Sequence, residues 1–135
     1  MLAPGAKVAL TEIVNPTLQP ELNILFRSGL FNEMSRQANI VWTAREDADF
    51  VARLEIRDFF DGASLKGLDD KTERLVVSLT AQLLLYHAGD MSLFWSSGPV
   101  KSGEAYYNAA ARTGTIRQVV RLACERLAFR LFDSF

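Results

Sequence analysis

What this sequence has little of narrows its chemistry before any pattern is read. One cysteine, Cys124, leaves no intrachain disulfide to form, and with one histidine, His87, no zinc site of the Cys/His kind can be assembled. Neither has a partner nearby for nucleophilic catalysis: His87 falls in a turn-forming stretch and Cys124 in an apolar helical stripe, where a small side chain is a packing residue. Charge of one sign is also missing. Lys plus Arg number 15 against 16 Asp plus Glu, a net of −1, whereas a dedicated nucleic-acid binder carries a basic excess. Purely apolar runs extend only a few residues, as in Leu83 to Leu85, and a membrane-spanning helix needs about 20. The glycines after Asp61 and Ser97 fit no phosphate-loop pattern, and Asp47, Asp49, Asp69 and Asp70 lack EF-hand spacing. The inventory implies no enzyme, no cofactor and no metal. What remains is 135 residues, 49% of them hydrophobic. That suits one domain spanning 1–135, since a chain of this size buries roughly two-thirds of its unfolded surface.

Periodicity supplies the elements. Val8, Leu10 and Val14 fall on one parity of a β-rich run closed by Asn15-Pro16, which reads as a first strand. Pro20 and Glu21 suit the first turn of a helix, where proline loses no needed bond and a carboxylate meets the positive dipole end. Leu22, Leu25, Phe26, Gly29 and Leu30 then recur at helical spacing up to about Ala38. Gly29 costs about 1 kcal/mol in propensity there, which predicts a close helix-to-sheet contact as compensation. Asn39 to Ala44 reads as a second strand, and a strand, helix, strand order implies a right-handed parallel crossover.

Alternation is clearest further on. Phe50, Ala52, Leu54 and Ile56 oppose Val51, Arg53, Glu55 and Arg57 in a third, half-buried strand, followed by a loop from Asp61 to about Thr72. Leu75 to Tyr86 forms a long fourth strand, and Ser92 to Tyr107 a fifth extended stretch that Gly98-Pro99 interrupts with a bulge or an edge position. Strands three to five predict an antiparallel meander. Thr115 and Gln118 have capping-box spacing ahead of Ile116, Val119, Val120, Ala123, Leu127 and Leu131, a second helix reaching the C-terminus. The fold class is α+β: a two-layer sandwich, two helices packed on one face of a mixed four- to five-stranded sheet.

Two helices cannot cover both faces of such a sheet. The second parity of strand four, Val76, Ser78, Thr80, Gln82, Leu84 and Tyr86, carries no charge, whereas a solvated face usually carries Lys and Glu. These six residues are the candidate partner face. A meander also places the tip between strands three and four beside the entry to the second helix. Lys66, Lys71, Arg74 and Arg112 then converge near Phe59, Phe60, Leu65 and Leu68, and cations beside apolar residues suit a phosphorylated amphiphile. The opposing reading is that Asp61, Asp69, Asp70 and Glu73 neutralise the cluster locally. Arg117, Arg121, Arg126 and Arg130 of the second helix read as a solvated face.

Certain phrases add a resemblance. Val14-Asn15-Pro16-Thr17 with Pro20-Glu21-Leu22, then Asp47-Ala48-Asp49-Phe50, the alternating fourth strand, Leu93-Phe94-Trp95, Gly103-Glu104-Ala105-Tyr106-Tyr107 and a terminal amphipathic helix follow one another in order. From about Lys7 to Leu131 the chain resembles the lipopolysaccharide-assembly lipoproteins, the LptE-like proteins of Gram-negative outer membranes. The resemblance implies a non-catalytic plug and chaperone for an outer-membrane β-barrel partner of the LptD-like kind, in contact with lipopolysaccharide during its export. It also implies a lipid anchor on an N-terminal cysteine, absent from Met1 to Lys7, that holds the domain on the periplasmic face of the outer membrane. The family supplies no strict motif for Lys66, Lys71, Arg74 or Arg112, which rest on topology. The alternative is an accessory lipoprotein subunit of another cell-envelope transport or secretion system; a small cytosolic enzyme is the third reading.

Overall fold

The computed structural model describes residues 3–63 and 74–134. Its elements, in chain order, are β1 (Lys7–Val14), α1 (Glu21–Gln37), β2 (Val41–Trp42), β3 (Phe50–Ala63), β4 (Leu75–His87), β5 (Leu93–Ser96), β6 (Val100–Tyr106) and α2 (Arg112–Asp133). The sheet runs β2-β1-β3-β4, with β5 and β6 both on the far side of β4. β1 is parallel to β2 and β3, and the remaining pairs are antiparallel. This is the expected α+β class, a mixed open sheet of about six strands with both helices on one face.

β5 and β6 are two halves of the single extended stretch read from the sequence. Ser97-Gly98-Pro99 separates them, with Gly98 at φ +68. A break there exposes carbonyl oxygens on an edge, where unpaired groups invite another chain. α2 covers them. Arg130 donates to the carbonyl oxygens of Ser97 (2.7 Å) and Pro99 (3.1 Å), and Arg126 donates to that of Lys101. Two of the arginines read as a solvated face therefore fasten a helix to a sheet edge.

The core lies between the layers. Leu22, Phe26, Leu30 and Met34 form a four-residue-spaced stripe on α1, and all four are fully buried. From the sheet they meet Val8, Leu54, Leu83 and Leu85, and α2 adds Ile116, Val120, Leu127 and Leu131. Gly29 serves a different contact from the one expected. It faces α2, where a Cβ built on it would stand 2.7 Å from Cys124 Sγ. The helices approach each other, rather than the sheet, at the residue that lacks a side chain.

Three local details depart from the periodicity. In β1 the register shifts between Leu10 and Glu12, so the extra residue turns Ile13 toward the core and pairs it with Leu54, while Val14 pairs with Glu55. The regular second strand is confined to Val41–Trp42. α2 begins three residues before Thr115: Asn108 accepts a bond from the Ala111 N–H ahead of it, and Thr115 donates to the Ala111 carbonyl. A capping box at Thr115 is not formed, because the preceding alanines and Arg112 continue the helical turn.

Candidate functional site

The end of the molecule that carries the β3–β4 connection brings four segments together. β3 continues past Asp61 to Ala63, farther than alternation indicated, because a bulge over Asp58 and Phe59 resets its register against β4. Asp58 sits at φ +55 in that bulge, a conformation aspartate tolerates better than most residues. The reset places Asp61 opposite Val77, on the helix-covered face. Tyr106, at the end of β6, lies opposite Leu75 on the same face.

Asp61 joins these elements to α2. Its carboxylate accepts from the Tyr106 hydroxyl (2.6 Å) and from Arg112 Nε, and Arg112 Nη2 donates to Gln19 Oε1 at 3.4 Å. Partial burial pushes the Asp61 carboxyl up, but the bonds from Tyr106 and Arg112 and the guanidinium charge outweigh it and hold its pKa below the ordinary value. The same hydrogen bond, followed by burial, raises the Tyr106 phenol, and the bond to Asp61 raises Arg112. Sequence spacing gave no sign that Tyr106 would belong here, since 45 residues separate it from Asp61.

Of the four cations assigned to a ligand site, Arg112 is thus held in an ion pair with Asp61, one of the acids named as a local neutraliser. Arg74 is exposed at the start of β4. Lys66 and Lys71 lie outside the described residues, as do Leu65, Leu68, Asp69, Asp70 and Glu73. The topology does place β3, β4 and the entry to α2 at one end, as the meander required. Beside Arg112 the first turns of α1 and α2 leave a shallow groove of about 250 Å³, walled by Ile24, Leu25 and Ile116 and rimmed by Glu21 and Arg117.

The other candidate surface is the sheet face away from the helices. Val76, Ser78, Gln82, Leu84 and Tyr86 are half-buried there, and Thr80 is only 5% exposed. Thr80 lies between Arg57 on β3 and Lys101 on β6, whose long side chains flank it. The row is less apolar in its surroundings than in itself. Arg53 and Glu55 pair at 3.3 Å beside Leu84 and Gln82, and Arg57 donates to Gln82 Oε1 at 3.4 Å. Toward the tip the neighbours change to Phe60, Gly62, Gly103 and Ala105, although Asp58 and Lys101 line the groove at Ser78. At the far end Tyr86 lies between Val51 and Leu93, so the charges fall on the middle of the row and the uncharged surroundings lie around Val76 and around Tyr86.

The two residues with potential reactivity are placed as packing and surface groups. Cys124 is fully buried, and desolvation, followed by the charges of Glu33 and Glu125, pushes its thiol well above the usual range. His87 is exposed at the end of β4, with its ring 5.6 Å from that of Phe50 and 5.0 Å from that of Phe94. Among the described residues no helix is long and apolar enough to cross a membrane.

The geometry defines a two-layer domain with an open sheet face and a fastened tip, a fold shared by solved bacterial lipoproteins. A minor lipoprotein from Acinetobacter baumannii superposes with a TM-score of 0.60 at 12% identity, covering 99% of this chain and 95% of the other. The PelC dodecamer from Paraburkholderia phytofirmans gives 0.57 at 19% identity, over 93% and 90%. Lipoprotein GNA1162 from Neisseria meningitidis gives 0.52 at 12%, over 88% and 97%. At such identities the likeness is one of fold. No family model and no curated protein matches the chain, so the likeness to lipopolysaccharide-assembly lipoproteins rests on the ordered phrases alone.

Proposed function

We propose that this chain is a non-enzymatic accessory lipoprotein of a bacterial cell envelope, a docking domain tethered to a membrane from the N-terminal side of β1. The observation that carries the reading is the sharing of one fold, over nearly the whole chain, with several solved bacterial lipoproteins. The lone thiol, Cys124, is fully buried, which agrees with a docking role. Within this class the finer assignment is lipopolysaccharide assembly at an outer-membrane barrel, which the ordered phrases favour. The open face, through the uncharged row of β4 from Val76 to Tyr86, is then the surface offered to the barrel, and the basic tip the surface offered to lipopolysaccharide phosphates.

Purification of the full-length precursor from native membranes tests both levels. Recovery with an outer-membrane barrel and lipopolysaccharide is the expected result. Recovery with a different envelope transporter keeps the accessory role and removes lipopolysaccharide assembly; association with no envelope assembly removes both. At the tip, charge reversal of Lys66 and Lys71 is expected to weaken binding to immobilised lipopolysaccharide, and to flatten the fall of that binding with rising ionic strength. Binding that keeps its full salt dependence in the double variant takes both lysines out of the site. Arg112 is unsuitable for the same test, because reversing it also breaks the contact with Asp61.

A further inference from the structure

Large apolar side chains left in solvent gather at the two ends of the molecule. At the tip they are Leu18, Ile24, Phe60 and Tyr107; at the opposite end they are Val41, Met91, Leu93, Phe129 and Phe132, the last two 57% and 60% exposed. Phe129 and Phe132 lie three residues apart and off the buried stripe of α2, so neither is a core residue that merely protrudes. Clustered exposed apolar groups mark a surface that meets something else.

The second end is built as one platform. The Gly5 N–H donates to the Asn39 carbonyl (2.9 Å), pinning the segment that leads into β1 against the exit of α1. Arg45 donates to the Ala88 carbonyl (3.0 Å) and approaches Met91 Sδ at 3.7 Å, which fixes the β4–β5 turn. Trp95 Nε1 donates to Ser134 Oγ (3.0 Å), tying the last turn of α2 to β5. A shallow groove of about 370 Å³ between Pro4, Ala38, Leu131 and Phe132 completes it.

We infer that this platform seats on the surface of a lipid bilayer, with Met91, Leu93, Phe129 and Phe132 entering the headgroup region and the tip directed away. The inference deepens the lipoprotein reading and rests on it for the tether. Two observations select a bilayer as the occupant. The backbone enters the fold on this platform, with Pro4 in its groove and the Gly5 N–H bonded to Asn39, so the N-terminal tether of the lipoprotein reading presents these side chains to the membrane at a raised effective concentration. Charges around the platform are of both signs, Lys7, Arg36 and Arg45 with Asp49, Asp90 and Asp133, and Glu125, Arg126 and Arg130 beside Phe129, so the attraction is apolar and needs no anionic lipid.

The test uses the full chain with an N-terminal polyhistidine tag on phosphatidylcholine vesicles doped with nickel-chelating lipid. An environment-sensitive dye is placed at Met91→Cys or Phe132→Cys, and for comparison at Leu18→Cys or Tyr107→Cys; buried Cys124 does not compete for label. Dye at 91 and 132 is expected to brighten and to be quenched by spin-labelled acyl chains, while dye at 18 and 107 stays aqueous. In flotation of the untagged protein, the Phe129→Ser/Phe132→Ser variant is expected to partition about tenfold more weakly or less, with little change at high salt. Dye at 91 and 132 that remains as aqueous as at 18 and 107, or insertion of the tip positions instead, overturns the inference. Metabolic labelling of the precursor with palmitate reads the tether separately. A lipidated protein whose platform stays wet fails here alone, and an unlipidated protein whose platform still inserts fails only as a lipoprotein.

Discussion

Gly29→Val is expected to lower the unfolding free energy by about 3 kcal/mol, because valine and glycine differ little in helix propensity and the change acts almost wholly through overpacking. Even the first carbon does not fit: a Cβ at position 29 stands 2.7 Å from Cys124 Sγ and 3.4 Å from Cys124 Cβ. The sulfur has no room to retreat, since Cys124 is fully buried among Val120, Leu127 and their neighbours. Gly29→Ala isolates the contact. In the native background its intrinsic gain of about 1 kcal/mol as a better helix former is set against the clash, and a net loss of about 1 kcal/mol is expected. With Cys124→Ala already in place the sulfur is gone, the nearest atom is 3.4 Å away, and the same Gly29→Ala change becomes stabilising. A double-mutant cycle in urea at constant m measures the coupling directly. If Gly29→Ala changes stability equally in both backgrounds, the two residues do not meet as described.

That contact also shows where sequence patterning stops being informative. Burial alternates along β4 because successive residues face opposite sides, so Val77, Leu79, Ala81, Leu83 and Leu85 were legible as the core row without any knowledge of their partners. Gly29 signalled a close approach, but the identity of the approaching element depends on how two helices cross, which no single segment encodes. The bulges in β1 and at Asp58–Phe59 were hidden for a related reason: one inserted residue reverses the facing of everything after it. Val14 therefore exchanges roles with Ile13. In the basic tip, topology correctly brought β3, β4 and the start of α2 to one end. The opposing reading, neutralisation by the local acids, anticipated Asp61 against Arg112, but nothing pointed to Tyr106 as the second donor to that carboxylate, because pairing across 45 residues is a tertiary fact. Phe129 and Phe132 were passed over in the sequence, although both interrupt the polar side of a helix whose buried positions are otherwise regular.

Asp61→Asn is expected to cost about 2 kcal/mol at neutral pH, since one carboxylate accepts charge-assisted or strong bonds from two side chains that it leaves underbonded when neutralised. The figure is kept below that of a fully buried pair because Arg112 is 38% exposed and water screens part of the attraction. Its dependence on pH follows from the direction of the shift. The folded protein holds the Asp61 carboxyl below its ordinary value, so the unfolded chain binds the proton more readily on acidification. The stabilisation is therefore complete above the unfolded pKa of about 4 and is lost as pH falls through the lower folded value. Glu33 and Asp90 are depressed too, which makes the difference between native and Asp61→Asn proteins the quantity to follow, rather than either acid limb alone. Tyr106 has the opposite sign: its raised pKa gives stability that is present below about pH 10 and disappears as pH climbs through the folded value. Tyr106→Phe is expected to remove that alkaline loss while keeping most of the packing. Amide exchange should localise both effects at the end of β6, the first turn of α2 and the segment around Gln19, the pieces that this carboxylate and its arginine fasten together. A stability difference between native and Asp61→Asn proteins that is unchanged across the acid range would show that the carboxylate is not the fastener of the tip.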